Sequence, residues 1–266
     1  MDAKFTIPAP DTSSSPPCDI PWLWGHIIRQ IKRRVTERHV HENGQIFIVE
    51  SGVMAVMTQS AYWLVAPGQV LWLPCGLVHE ARSHGAITGW SLYIAKDKSA
   101  GLDQTPFLAD STRLLTAQVE RLSHHIEKTP WNAAMRRLAD CFWDELLSIP
   151  RQSVSLPFPK DERLKRVAKA LNSTPADPRT QQAWADMAGM SLRSFIRHFT
   201  ADTGLQFSVW RQRLRLLNAQ ERLARGERVT DVAASVGYNS LGAFATAFQK
   251  STGYTPSAYA HHCRVR

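Results

Sequence analysis

Cysteine is scarce in this 266-residue chain and long apolar runs are missing. The four cysteines, Cys18, Cys75, Cys141 and Cys263, stand far apart and form no Cys-x-x-Cys pair. That argues against a disulfide framework and against a structural zinc site. No stretch approaches the ~18 consecutive apolar residues of a membrane-spanning helix. The N-terminal "MDAKFTIPAPDTSSSPPCDIP" lacks both a basic n-region and an apolar h-region, so it does not read as a secretory signal. A flexible Pro/Ser-rich leader over residues 1–29 and a cytoplasmic location without a membrane partner are expected. Acidic residues are scarce in one half only. Residues 160–266 hold 17 Lys and Arg against 8 Asp and Glu, whereas residues 1–159 hold 15 of each sign. All of the net charge of +9 therefore sits in the C-terminal part. A basic module beside a neutral one points to a polyanion as partner of the basic module; the bland alternative is a solvated basic surface.

The neutral part changes character along its length. "QIFIVESG", "VMAVMTQSAYWLVAPGQVLWLPCG" and "GAITGWSLYIA" read as strands broken at Gly52, Pro67-Gly68 and Pro74-Cys75-Gly76, the pattern of a small β-barrel or sandwich over residues 30–100. Over 110–150 the apolar spacing turns helical, with Leu114, Leu115, Val119, Leu122 and Ile126 in one segment and "PWNAAMRRLADCFWDELLSIP" in the next. This helical pair is expected to pack on the barrel or on a second subunit. His124-His125 is expected on a helix surface. "RQSVSLPFP", 151–159, is a linker, and residues 160–262 read as all-α.

Two segments of the basic part resemble one another: "WADMAGMSLRSFIRHFTADTGLQF", 184–207, and "VTDVAASVGYNSLGAFATAFQKSTGYTP", 229–256. Both carry Ala, Gly, a small polar helix start, Phe-x-x-x-Phe and Thr-Gly. Physically each is helix, tight turn, helix. Gly189 and Gly237 sit where the turn needs positive φ, and Ser191 and either Asn239 or Ser240 are plausible N-caps. Phe195, Phe199, Phe244 and Phe248 form i, i+4 pairs that read as core. Between the units, Val209, Trp210, Leu214, Leu217 and Leu223 mark one long helix that stops at Gly226. Such a helix would fix two recognition helices about one DNA turn (~34 Å) apart.

Residues 160–260 resemble the DNA-binding domain of the AraC/XylS family of bacterial transcription regulators, with Ala233, Gly237, Phe244, Phe248, Gly253 and Pro256 carrying the likeness. The resemblance implies a sequence-specific regulator that binds double-stranded promoter DNA through two helix-turn-helix units. In the first unit Arg193, Ser194 and Arg197 project away from the phenylalanines. Arg pairs bidentately with guanine at ~1–3 kcal/mol of discrimination. The second unit offers Leu241, Gly242, Ala245 and Thr246 outward, and many family members have Arg where Thr246 stands. Apolar contacts to thymine methyls and a phosphate contact from Lys250 are the chemistry left to it. The expectation is a division of labour: unit one reads, unit two anchors. The alternative for Arg193 and Arg197 is phosphate contact without base reading.

"ERHVHENGQIFIVESG" and "APGQVLWLPCGLVHEA" resemble the two cupin motifs in order. Strand period two puts His39 and His41 on one face, where His79 would meet them. In metal-binding cupins this constellation is three His and one Glu; here the carboxylate position is Gln45. Two readings stay open for His39, His41, Gln45 and His79: a polar spot that hydrogen-bonds an organic effector, or a site for a divalent metal, with no cofactor required. Trp63, Trp72, Phe47 and Tyr93 are candidate pocket walls or plain core. AraC-type regulators join a sensor of this kind to the tandem reader, which implies a homodimer, and contact with RNA polymerase if the protein activates. The alternative function is a metal-dependent cupin enzyme with a DNA-binding tail, which Gln45 argues against.

Overall fold

The computed structural model describes residues 22–83, 85–123, 131–152 and 155–264. The His124-His125 pair, the first 21 residues and Cys18 lie outside the described residues. The N-terminal part is β-rich. One sheet runs, in spatial order, β1 (Leu23–Gln30), β8 (Ile87–Ile94), β3 (Gly44–Ser51), β6 (Gln69–Leu73), β9 (Phe107–Asp110) and β10 (Arg151–Gln152). The second runs β11 (Leu156–Pro157), β5 (Ala61–Val65), β4 (Met54–Thr58), β7 (His79–Ser83) and β2 (Val35–His39). The cupin-like barrel expected from the motifs is two facing sheets that do not close. It also begins earlier than expected: β1 lies largely within the stretch read as leader, paired with β8 from Leu23↔Ile94 to Gln30↔Ile87.

Strand alternation divides the core. Phe47 and Val49 of β3 meet Leu71, Leu73, Met54, Val56, Trp63 and Ala81 between the sheets. Ile46 and Ile48 point the other way, where Trp72, Trp90 and Leu92 receive two helices. These are α2 (Arg113–Ser123) and α3 (Ala133–Ser148), the helical pair read from the sequence; the short α1 (Lys96–Ser99) precedes them. Leu115, Val119, Leu122, Phe142 and Leu146 supply their buried stripes. Asn132 caps α3, accepting from Met135 N at 2.9 Å.

The C-terminal part is helical: α4 (Glu162–Ser173), α5 (Gln181–Met187), α6 (Leu192–Thr203), α7 (Phe207–Ala224), α8 (Val229–Ser235), α9 (Leu241–Thr252) and α10 (Pro256–His262). α5–α6 and α8–α9 are the two helix-turn-helix units, and α7 is the long helix between them. Gly189 and Gly237 make the turns at φ +65° and +84°. The two parts share one core: Ala55, Tyr62, Leu64 and Leu156 from the second sheet, and Val53 just before β4, cluster with Leu164, Trp184, Trp210, Leu214 and Tyr259. Backbone bonds cross the junction from Gly52 N to Cys263 O (2.8 Å) and from Phe158 N to Ser60 O (2.7 Å), and Trp210 Nε1 donates to Pro157 O (2.6 Å).

Candidate nucleic-acid interface and sensor pocket

Burial of aromatic pairs orients both recognition helices. Phe195 and Phe199 of α6 and Phe244 and Phe248 of α9 are fully buried. Their fixed register turns Arg193 and Arg197 to solvent on α6, with Ser194 half-buried. On α9 it exposes Leu241, Gly242, Thr246 and Lys250, leaves Ala245 half-buried, and exposes Ala243, which was not singled out from the sequence. Ser191 caps α6 by accepting from Ser194 N, and Ser240, rather than Asn239, caps α9 by accepting from Ala243 N, both at 3.3 Å. Arg197 and Thr246 occupy matching positions, each midway between its buried phenylalanines.

Some exposed arginines of the basic part are already engaged within the chain. Arg179 lies over the Trp184 ring at 3.8 Å and pairs with Asp177, and Arg163 pairs with Asp161, both at 2.7 Å. The Arg163 guanidinium holds the Asp161 carboxyl down at about 2.

Within the sensor, β2 and β7 pair His39 with His79. His41 follows just beyond β2, and the three rings lie 4.4–5.5 Å apart, with one ligating nitrogen from each within 4.8 Å of the others. The backbone orients two of them: His39 Nδ1 contacts Glu37 O at 2.6 Å and His79 Nδ1 contacts Leu77 O at 2.9 Å. An Nδ1–H donated to a carbonyl leaves the Nε2 lone pair free. His79 Nε2 and His41 Nε2 are buried and have no hydrogen-bond partner among the described residues. Burial drives the His79 imidazole down to about 4 and lowers that of His41, which keeps both neutral near pH 7.

Gln45 sits opposite Tyr93 in the β3–β8 ladder. Its amide nitrogen donates to Ser91 Oγ (3.1 Å) and to the Tyr93 hydroxyl (3.3 Å), and its Oε1 has no partner among the described residues. The Tyr93 ring lies 5.0 Å from that of His41, so Tyr93 joins Gln45 to the histidines. Of the other expected walls, Phe47 and Trp63 lie between the sheets, whereas Trp72 faces the helical pair, donating Nε1 to Asp103 O. Ser91 was missed by sequence reading; its signal is the two-residue period with Tyr93.

On its outer face β7 carries Arg82, whose guanidinium lies 3.8 Å from Glu221 on α7. Arg225 lies 3.7 Å from the other carboxylate oxygen. Burial nevertheless outweighs these long contacts and raises the Glu221 carboxyl to about 8, with Arg225, Arg222 and Arg33 opposing.

A β-sheet sensor with a polar pocket, fused to two capped helix-turn-helix units on a common helix, defines a DNA-binding transcriptional regulator. Family profiles agree for both parts: the AraC-like ligand binding domain matches residues 25–129 and the helix-turn-helix domain matches residues 184–262. The chain belongs to the AraC family of transcriptional regulators. It is similar to the HTH-type transcriptional regulator NimR of Escherichia coli (strain K12), 28% identical over 221 residues, covering 83% of this chain and 81% of NimR. It is also similar to the HTH-type transcriptional activator RhaR of Pectobacterium atrosepticum, 31% identical over 210 residues, covering 76% of this chain and 63% of RhaR. Among solved structures, ToxT from Vibrio cholerae aligns with 92% of this chain and 99% of its own, at 11% identity and a TM-score of 0.41. No helix among the described residues is long and apolar enough to cross a membrane.

Proposed function

We propose that this regulator reads promoter DNA with α6, anchors with α9, and changes that binding when a small molecule enters the pocket of His39, His41, Gln45 and His79. The supporting observation is the exposure of Arg193 and Arg197 on α6 beside the uncharged outward face of α9 between Leu241 and Thr246. Arg193 and Arg197 hydrogen-bond base edges; Ser194 sits at the same helix start, where backbone N–H groups favour phosphate. Leu241, Gly242, Ala245 and Thr246 give close apolar contact, and Lys250 meets phosphate. The chain acts as a regulator rather than a catalyst, in the cytoplasm, as a dimer through the α2–α3 pair.

The orphaned Nε2 atoms of His41 and His79 support a second reading of the pocket. His39, His41 and His79 fit a borderline transition metal by donor type, with His41 and His79 kept neutral by burial and His39 and His79 oriented by backbone carbonyls, and the absent carboxylate lowers affinity without abolishing it. A divalent ion held there would offer a Lewis-acidic position to an oxygen or nitrogen of the effector. The histidines do the holding, and Gln45 and Tyr93 orient the ligand.

Selection of duplexes from a randomised library with the full chain tests the DNA reading. One shared motif, lost on Arg193→Ala or Arg197→Ala, is expected. Salt-labile binding without a motif would overturn it.

A further inference from the structure

Two arginines of α7 are turned inward instead of toward solvent. Arg215 Nε donates to Pro175 O at 3.0 Å, and a terminal nitrogen of the same guanidinium donates to Gly237 O at 3.1 Å. Pro175 belongs to the loop between α4 and α5, at the entrance of the first helix-turn-helix unit. Gly237 is the turn of the second. One side chain thus holds backbone of both units. One helical turn earlier, Arg211 donates to Arg179 O at 3.1 Å and to Asp177 O. Gly237 leaves no slack at this junction. At φ +84°, a Cβ there would stand 2.7 Å from the Arg215 guanidinium and 2.9 Å from Ala176 Cα. The loop at 175–177 and the second turn therefore touch backbone against backbone, with Arg215 wedged between them.

We propose that Arg215, supported by Arg211, is a positioning residue that fixes the separation and angle of α6 and α9, and so sets which spacing between DNA half-sites the protein accepts. The inference rests on the reading that both helices engage DNA. Arginine suits this task because its planar fork reaches two acceptors in fixed directions, whereas a lysine ammonium holds one point. The obvious rival role for a basic residue on a reader domain is phosphate contact. Here two of the three guanidinium nitrogens donate to carbonyls inside the domain. Losing Arg215 should widen spacing tolerance without removing a phosphate contact from the salt dependence of binding.

The test uses the full chain and synthetic duplexes carrying the selected motif, with the gap between its halves lengthened or shortened by one and two base pairs. Wild-type protein is expected to lose about tenfold or more in affinity as the gap departs from its optimum, since half-site spacing follows protein geometry. Arg215→Ala is expected to stay within about threefold across the same set, with an unchanged salt slope at the best spacing. Circular dichroism checks the fold; if the alanine variant does not fold, Arg215→Lys, which keeps the charge and loses the fork, is read in its place. A variant with the wild-type spacing profile, or with a shallower salt slope, overturns the positioning role alone. A wild type indifferent to spacing overturns the two-helix reading and the positioning role with it.

Discussion

Arg197 and Thr246 stand at one position of two otherwise parallel helices, so exchanging each for alanine compares reading with anchoring directly. Arg197→Ala should weaken binding to the selected motif by ~1–3 kcal/mol and relax its sequence preference, while Thr246→Ala should cost under about 1 kcal/mol. Fluorescence anisotropy on a panel of mutated duplexes checks this, and equal losses would sink the division of labour. In the sensor, His79→Gln should blunt the effector response of a promoter reporter while DNA affinity of the full chain without effector stays within about twofold, because His79 lies in the sensor, away from α6 and α9. Most of these residues were legible in the sequence, because each helix announces its outward face through the buried phenylalanines opposite it. Ser91 was not, since it carries no motif and matters only through the ladder that seats Gln45 opposite Tyr93. The inward turn of Arg211 and Arg215 was equally invisible. Their acceptors are backbone carbonyls 22 to 40 residues away, and sequence shows only two more basic residues on a basic helix.

Elements whose signals are local were readable, and those stabilised by distant partners were not. The Ser191 cap, the turn glycines and the stop of α7 at Gly226 follow from neighbouring residues alone, while the cap of α9 was narrowed by them to Asn239 or Ser240. Ser240→Ala should cost about 1 kcal/mol, seen as a lower melting temperature, because α9 then begins with an unsatisfied amide. β1 had no such signal. "LWGHIIRQ" lacks clean alternation, and its strand identity comes from pairing along its whole length with β8, more than 50 residues later. The open pair of sheets was hidden for the same reason: strand runs give strand content, while closure depends on which edges meet.

For the whole molecule, the junction between sensor and reader contains a titrating group. Glu221 faces Arg82 and Arg33 from the sensor, Arg222 and Arg225 from its own helix, and Tyr259 of α10. Its carboxyl, raised to about 8 from 4.5, stays protonated in the folded protein at pH values where the unfolded chain has already lost the proton. The contribution of Glu221 to stability should therefore fall as pH rises between about 5 and 8, by up to about 1.4 kcal/mol per unit, while His79, driven down to about 4, opposes it below about 6.5. Thermal melts of wild type and Glu221→Gln between about pH 6.5 and 8, where the histidines no longer titrate, check the sign: the variant should show the flatter slope. The same junction determines what becomes of the sensor on its own. Its linker is not a tether: it supplies β10 to the first sheet and β11 to the second, where Leu156 and Pro157 lie along β5. Cutting the chain before Leu156 would leave β5 with an open edge beside the bared Val53, Ala55, Tyr62 and Leu64. An unprotected edge next to an apolar face recruits strands from other molecules. The severed sensor should then grow into polydisperse aggregates in light scattering, because in this protein the reader also serves as the sensor's guard against self-association.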